Sequence, residues 1–177
     1  MNHTKRRLIG QLADQIRIEL GLDIPTDVRS AVDSLGGTIR EMGIDDMAYE
    51  ASVRKSEDES FEIRLRDGVG IQRERFSVAH ELGHLFIHMG FQTDDSKWAG
   101  IRPGESSERA RYGVSESEYE ANEFAAALLM PESDYRQTID EIAVDNKVDL
   151  SKVADRFGVS VAAIRLRGQW LGLIGWD

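Results

Sequence analysis

The sequence predicts an α+β fold that is mostly helical, with a small antiparallel sheet packed on one helix. Apolar residues recur at helical spacing through most of the chain, which is typical of amphipathic helices. Strict alternation of apolar and polar residues is confined to residues 61–66 (FEIRLR), which predicts a half-buried strand. The third observation is the sequence HELGH at residues 80–84, inside an apolar helical pattern, which makes this helix the centre of the fold.

The first third of the chain predicts two helices followed by strands. Leu8, Leu12, Ile16 and Leu20 share one helical face, and Gly21 is a plausible end. A second short amphipathic helix covers residues 28–35 and stops at two glycines. Imperfect alternation at 38–42 and a weaker pattern at 51–55 add two strand candidates to residues 61–66. Together these segments predict the antiparallel sheet.

The rest of the chain predicts further helices around one irregular stretch. A helix over residues 72–89 ends at Gly90, and residues 91–116 are rich in Gly, Ser, Asp and Glu, which favours a long loop. A dense apolar helix over 118–130 is closed by Pro131. Three helices follow at residues 132–144, 150–157 and 161–171. We therefore predict a domain over residues 1–131 and a helical appendage over residues 132–177.

Composition restricts the classes of partner and site. The chain has 177 residues and a net charge of −10, and this acidic field disfavours non-specific contact with nucleic acid. It has no cysteine, which excludes disulfides and thiolate metal ligands. The first apolar stretch is interrupted by Gln11, Asp14 and Gln15, so it is too short and polar for a secretion signal or membrane span. These features predict a cytoplasmic protein.

The HELGH sequence places metal ligands on one helix face. His80 and His84 are four residues apart, so their imidazoles lie one turn apart and can converge on a single ion. Zinc accepts neutral nitrogen ligands in a tetrahedral shell. Glu81 sits one position along, where it can reach a water on the metal, take its proton and pass it to a leaving amine. The pattern predicts a zinc site with Glu81 as the catalytic base.

Two histidines need a further protein ligand, and without cysteine we expect a carboxylate. The candidates lie at the start of the following helix: Glu116, Glu118, Glu120 and Glu123. Helical phase favours Glu118, which shares a face with Ala121 and Ala125, and it predicts that Glu120 and Glu123 are ordinary surface charges. Asn122, one turn after Glu118, is predicted to hydrogen-bond a ligand imidazole. His88 is eight residues from His80, off the ligand face, which favours a supporting or packing role.

Two sequences together resemble a known family. Residues 73–88 (RERFSVAHELGHLFIH) and 118–131 (EYEANEFAAALLMP) are similar to the two signatures of the ImmA/IrrE metallopeptidases, and the similarity covers most of the chain. The resemblance implies a minimal zincin-like core with a gluzincin-like site. It implies Zn²⁺ bound by His80, His84 and Glu118, with Glu81 as the catalytic base, in agreement with the residues themselves.

The resemblance also implies a regulatory activity. Members of this family cleave helix-turn-helix repressors, which predicts a zinc endopeptidase that hydrolyses a repressor peptide bond by attack of zinc-bound water. The alternative is a non-catalytic, metal-binding regulator that acts by binding a toxin–antitoxin component or a transcription factor. Arg111, Tyr112 and His88 remain open as donors to the oxyanion. Manganese or iron also suits two histidines and one carboxylate.

The C-terminal residues 150–166 read as helix, turn, helix, with Gly158 in the turn and Ser160 as a cap. Lys152, Arg156, Arg165 and Arg167 give this region local positive charge, which admits DNA binding. The acidic chain and the shortage of side chains suited to base edges instead favour a packing or docking role.

Overall fold

The computed structural model describes residues 1–43, 50–107, 116–145 and 147–176. In these ranges the chain forms three strands and eight α-helices, which confirms a mostly helical α+β fold. The strands are β1 (Thr38–Met42), β2 (Ala51–Lys55) and β3 (Phe61–Arg66). The helices are α1 (His3–Leu20), α2 (Val28–Ser34), α3 (Ile71–Gly83), α4 (Asp95–Gly100), α5 (Glu116–Leu129), α6 (Glu132–Ile142), α7 (Leu150–Phe157) and α8 (Val161–Trp170).

The sheet is mixed, so the prediction of an antiparallel sheet was wrong for one of its two pairings. The strand order is β1-β3-β2, with β2 antiparallel to β3 and β1 parallel to β3. Alternation in the sequence identifies the buried face of a strand but not its neighbours, and β3 takes the central place between two strands that precede it. Phe61, Ile63 and Leu65 of β3 are buried, as the alternation predicts.

Helix α3 lies between the sheet and α5, and a glycine sets its distance from α5. A Cβ atom on Gly83 would lie 2.9 Å from Ala121 Cα and 3.2 Å from Phe124 Cβ. Only a residue without a side chain allows the two backbones to approach this closely. Because Gly83 and Ala121 lie near the candidate ligands of both helices, this contact brings the two halves of the site together.

The predicted helix over residues 72–89 changes its winding part-way. α3 ends at Gly83 and continues directly into a π-helical segment, His84–Met89. Gly90, with φ 83°, ends it in the left-handed conformation, as the sequence predicts. A π-helical turn contains more residues than an α-helical turn, so His88 returns toward the face of His84 instead of drifting past it.

The stretch predicted to be irregular, residues 91–116, contains a helix. The side chain of Asp94 accepts a hydrogen bond from Lys97 N and caps α4, and the Trp98 ring packs edge-on against Phe91 at 5.0 Å. Farther along, Lys55 N donates to Glu105 O (3.2 Å) and Gly104 N donates to Lys55 O (2.8 Å), so this stretch pairs with β2. Residues 108–115 lie outside the described residues.

The last three helices pack against the front of the chain. The hydroxyl of Ser160 caps α8 by accepting from Ala163 N, and Gly158, with φ 63°, makes the turn, as predicted. Arg75 of α3 donates to Gly158 O at 2.6 Å, so the turn between α7 and α8 contacts α3. The domain boundary at residue 131 stays a prediction. In the ranges described, no helix is both long enough and apolar enough to cross a membrane.

Candidate metal centre

Three side chains from two helices converge on one point. His80 Nε2 and His84 Nε2 are 3.1 Å apart, and the Glu118 carboxylate lies 3.3 Å from the first and 3.2 Å from the second. His80 on α3 and His84 at the start of the π-helical segment lie on one face because they are four residues apart. Glu118, in the first turn of α5, reaches them because Gly83 allows the helices to approach. Among the described residues, these three form a group that could hold a metal ion.

The separations fit a tetrahedral metal shell. Zinc–nitrogen and zinc–oxygen distances of about 2.0–2.1 Å give neighbouring ligand atoms a separation of roughly 3.3 Å. The three separations, 3.1, 3.2 and 3.3 Å, lie close to this value, with His80 facing Oε2 and His84 facing Oε1 of the Glu118 carboxylate. The two nitrogens and the carboxylate are the donor types that zinc accepts. The residues present therefore fit the metal that the sequence predicts.

The outer nitrogen of each candidate ligand has its own acceptor. His80 Nδ1 lies 2.9 Å from Asn122 Oδ1, and His84 Nδ1 lies 3.0 Å from His88 Nδ1. With a proton on each outer nitrogen, the Nε2 lone pairs of both rings face the point of convergence. The Asn122 oxygen can only accept, which places a proton on His80 Nδ1, and His88 accepts from His84 Nδ1 because its other nitrogen donates to the Glu120 carboxylate. Three acceptors facing one another favour a cation between them.

Glu81 is anchored on the sheet side of α3. Its Oε2 accepts from Val53 N at 3.0 Å and from the Ser107 hydroxyl at 2.9 Å, and its side chain is only 1% exposed. Val53 N also lies 3.3 Å from Ser107 Oγ, so the three groups form one buried cluster. A carboxylate held in this way keeps one orientation. The sequence offers no local signal for Val53 or Ser107, because both are remote from HELGH along the chain.

Glu120 and Glu123 are buried, so their prediction as surface charges was wrong. Their exposures are 5% and 8%. Glu120 Oε2 lies 3.2 Å from His88 Nε2 and pairs with Lys5, and these hydrogen bonds hold the pKa of its carboxyl below the usual range although burial raises it. Burial lowers the pKa of His88, although its hydrogen bond with Glu120 opposes that shift. His88 thus contacts both a candidate ligand and an acidic side chain.

Glu123 joins the first and last helices. Its carboxylate accepts from Arg6 Nε and from Arg167 Nη1, each at 2.9 Å. Burial lowers the pKa of the Arg167 guanidinium, and the neighbouring Glu123 opposes that shift. Arg6 also lies over the Trp170 ring, 3.6 Å from its centroid. Helical phase could not predict these partners, since they lie on α1 and α8.

With this geometry established, comparison with known proteins identifies the family. A family model described as the IrrE N-terminal-like domain, Peptidase_M78, matches residues 33–168. This chain belongs to that family. The match confirms the resemblance found in the two signature sequences, and it runs through residue 131 into the predicted appendage.

Two known proteins are similar to this IrrE-like chain, one in sequence over 84 residues and the other in fold. The chain is 39% identical over 84 residues to "Uncharacterized immunity region protein 2" of Bacillus phage phi105, covering 44% of this chain and 47% of that protein. A solved structure described as a Mycobacterium tuberculosis transcriptional regulator matches with a TM-score of 0.57 at 18% identity, over 91% of this chain and 46% of that one. The chain thus spans about half the length of each, and the second likeness concerns the fold alone.

An open cleft of about 270 Å³ lies beside the candidate metal centre of this IrrE-like domain. His80, Glu81 and Asn122 line it from the helices, and Glu50 and Ala51 line it from the sheet side. A larger groove of about 620 Å³ adjoins it and shares Phe76 and Asn122. The groove wall is mostly apolar and includes Tyr119, Ala126, Met130, Leu166 and Trp170. A polypeptide entering the cleft would have an apolar surface beside it.

The remaining sequence candidates are placed as follows. Arg111 and Tyr112, named as oxyanion donors, lie outside the described residues. Glu116 is exposed and contacts Lys5, away from the histidines. Of the C-terminal cations, Arg167 is buried on Glu123, and Arg156 pairs with Glu141 at 2.5 Å, so neither side chain presents an unpaired charge to a ligand.

Proposed function

We propose that this chain is a zinc-dependent endopeptidase that hydrolyses a peptide bond in a regulatory protein, a helix-turn-helix repressor. The observation that carries the proposal is the convergence of His80, His84 and Glu118, 3.1–3.3 Å apart, beside the buried carboxylate of Glu81. The fold family is a peptidase family, which supports the same reaction class.

His80, His84 and Glu118 would hold the metal. When bound, zinc supplies Lewis acidity, which polarises a carbonyl group and makes water a nucleophile near neutral pH. Asn122 and His88 fix the ligand rings through their outer nitrogens, so that the inner nitrogens stay available. Glu118 contributes the negative charge that two neutral imidazoles lack.

Glu81 performs the proton transfers. It takes a proton from the attacking water and delivers it to the nitrogen of the leaving amine, which is general base and then general acid catalysis. Val53 N and the Ser107 hydroxyl hold its Oε2, so the carboxylate is already oriented before substrate arrives. Its burial keeps bulk water from competing for the proton.

Two further observations support a regulatory substrate. One relative bears the name of an immunity region protein, and a structure of similar fold is described as a transcriptional regulator. The cleft is open to a polypeptide and adjoins an apolar groove. Both suit a protein substrate better than a small molecule.

The test compares wild-type protein with Glu81→Gln, each loaded with zinc and mixed with candidate helix-turn-helix repressors. We expect mass spectrometry to find one or few cleavage sites with wild type and none with Glu81→Gln, and both proteins to bind one zinc. If both bind a repressor equally and neither cleaves it, the chain is instead a non-catalytic regulator. Loading with manganese or iron in parallel tests the choice of metal.

A further inference from the structure

We propose that Glu120 is a positioning residue for the metal ligand His84, acting through His88, and that Lys5 extends this connection to the first helix. The inference rests on the proposed metal centre and goes beyond it. It assigns a role to a buried carboxylate, a third histidine and a distant lysine that the peptidase reaction itself does not use.

The four side chains form a continuous series of contacts. His84 Nδ1 lies 3.0 Å from His88 Nδ1, and His88 Nε2 lies 3.2 Å from Glu120 Oε2. Lys5 on α1 pairs with the Glu120 carboxylate. The series therefore runs from the point of metal binding to the outer surface of α1.

The direction of each hydrogen bond follows from the chemistry of its last acceptor. Glu120 as a carboxylate can only accept, so His88 donates to it from Nε2. The 3.0 Å separation of His84 Nδ1 and His88 Nδ1 requires one of them to accept, so His84 donates from Nδ1 to His88 Nδ1. This leaves His84 Nε2 with its lone pair directed to the metal, as a ligand requires. A side chain at position 120 that can also donate would no longer require His88 Nε2 to be the donor.

The π-helical segment makes the contact between the three histidine rings possible. In a straight α-helix, each step of four residues overshoots one turn by about 40°, so His88 would lie well away from His80. The wider turn over His84–Met89 opposes this drift. The ring centroids of His80 and His84 are 4.8 Å apart, and those of His84 and His88 are also 4.8 Å apart. The third ring consequently meets the outer nitrogen of the second.

The two ligand histidines obtain their orientation from the same helix by different routes. Asn122 of α5 accepts directly from His80, whereas Glu120 of α5 acts on His84 through an intervening ring. His84 is 0% exposed, so water does not replace a lost partner easily. Acceptors behind metal-bound imidazoles commonly change metal affinity by about 10–100-fold.

Lys5 couples α1 to this series. Its side chain is 42% exposed while that of Glu120 is 7% exposed, so the lysine brings a charge to a carboxylate already enclosed by protein. An ion pair with one exposed partner contributes modestly. We therefore expect the effect on metal affinity to fall along the series, largest at His88 and Glu120 and smallest at Lys5.

The experiment measures zinc affinity by competition with a chromophoric chelator, for wild type, Glu120→Gln and Glu116→Gln. Glu116 is the matched control, because it lies on the same helix and also contacts Lys5, yet it is exposed and does not contact His88. We expect zinc binding to weaken by about 10–100-fold in Glu120→Gln and by less than about twofold in Glu116→Gln. Lys5→Met should weaken it by a few-fold.

Two further readouts separate positioning from general structure. The visible spectrum of the cobalt-substituted protein reports ligand geometry, and we expect its bands to shift in Glu120→Gln but not in Glu116→Gln. In a double-mutant cycle, adding Glu120→Gln to His88→Ala should weaken zinc binding no further, because Glu120 then has no imidazole through which to act on His84. Additive effects would overturn the route through His88.

The outcomes distinguish the two proposals. If wild type binds zinc and Glu120→Gln binds it equally well with an unchanged cobalt spectrum, the role of Glu120 is wrong and the metal centre stands. If wild type takes up no zinc or cobalt, the metal centre and this inference are both wrong. Circular dichroism of the metal-free variants checks that each is folded.

Discussion

Helix α5 carries a glutamate on each of two sides, and the two glutamates have different partners. Toward α3, Glu118 meets two histidines and leaves a point where a cation fits. Toward α1 and α8, Glu123 meets two arginines whose charges already neutralise it. A carboxylate that faces two imidazoles suits metal binding, whereas a carboxylate between two arginines contributes to stability. The partners of each glutamate, and not its position along the helix, decide its role.

The largest expected effect is the loss of the metal in Glu118→Gln. An amide lacks the negative charge of the carboxylate, and the two histidines alone leave the shell incomplete. We expect stoichiometric zinc binding to be lost while the protein stays folded, as measured by metal analysis and circular dichroism. Glu116→Gln, in the same helical turn, should keep one zinc. Retention of zinc by Glu118→Gln would show that another group completes the shell.

Glu123→Gln tests the glutamate that pairs with two arginines. Arg167, 6% exposed, loses its anionic partner and becomes an uncompensated buried charge. We expect the free energy of unfolding to fall by roughly 3 kcal/mol, at the low end of such losses because the amide still accepts hydrogen bonds. Urea denaturation measures it, with the exposed Glu132→Gln as the control. A change below about 1 kcal/mol would mean that the pair adds little.

The contact between α3 and α5 can be tested at Gly83. In Gly83→Ala the new Cβ atom meets the backbone of Ala121, so α5 must shift away from the histidines. We expect a loss of about 2 kcal/mol in unfolding free energy, typical of overpacking, with weaker zinc binding. Gly10→Ala is the control, because the space around Gly10 is empty and alanine favours a helix. Equal stability of the two variants would contradict the close approach.

The smallest expected effect concerns Ser107. Ser107→Ala removes one hydrogen bond to Glu81 and leaves the zinc ligands intact. A hydrogen bond to a charged group is worth about 1.5 kcal/mol, so we expect kcat to fall roughly tenfold with unchanged zinc affinity. Ser107→Thr, which keeps the hydroxyl, should retain most of the rate. A parallel loss in the threonine variant would point to packing instead.

The sequence predicted what local spacing determines. The α+β class, the ends of the helices at Gly21, Gly90 and Gly158, and the face shared by His80 and His84 all follow from periodicity and turn residues. The convergence of Glu118 with these histidines agrees with its helical phase. The helix ends, the shared face of the histidines and the helical phase of Glu118 each need only residues that are close along the chain.

What the sequence could not predict depends on contacts between distant segments. The parallel pairing of β1 with β3 requires knowing which strand is central. Glu120 and Glu123 look like surface charges until Lys5, Arg6 and Arg167 are brought to them. Ser107 reaches Glu81 across 26 positions of sequence. Burial of a polar group depends on its partners, and sequence periodicity reports only the face on which the group lies.

The bridge from Arg6 through Glu123 to Arg167 has a consequence for biosynthesis. Arg6 is synthesised long before Arg167, so the Glu123 carboxylate pairs with both cations only after residue 167 has left the ribosome. Contacts of such long sequence separation also slow folding, because closing a long loop costs entropy. Helix α5, which carries the candidate ligand Glu118, therefore gains its ion pair with α8 only after α8 has docked.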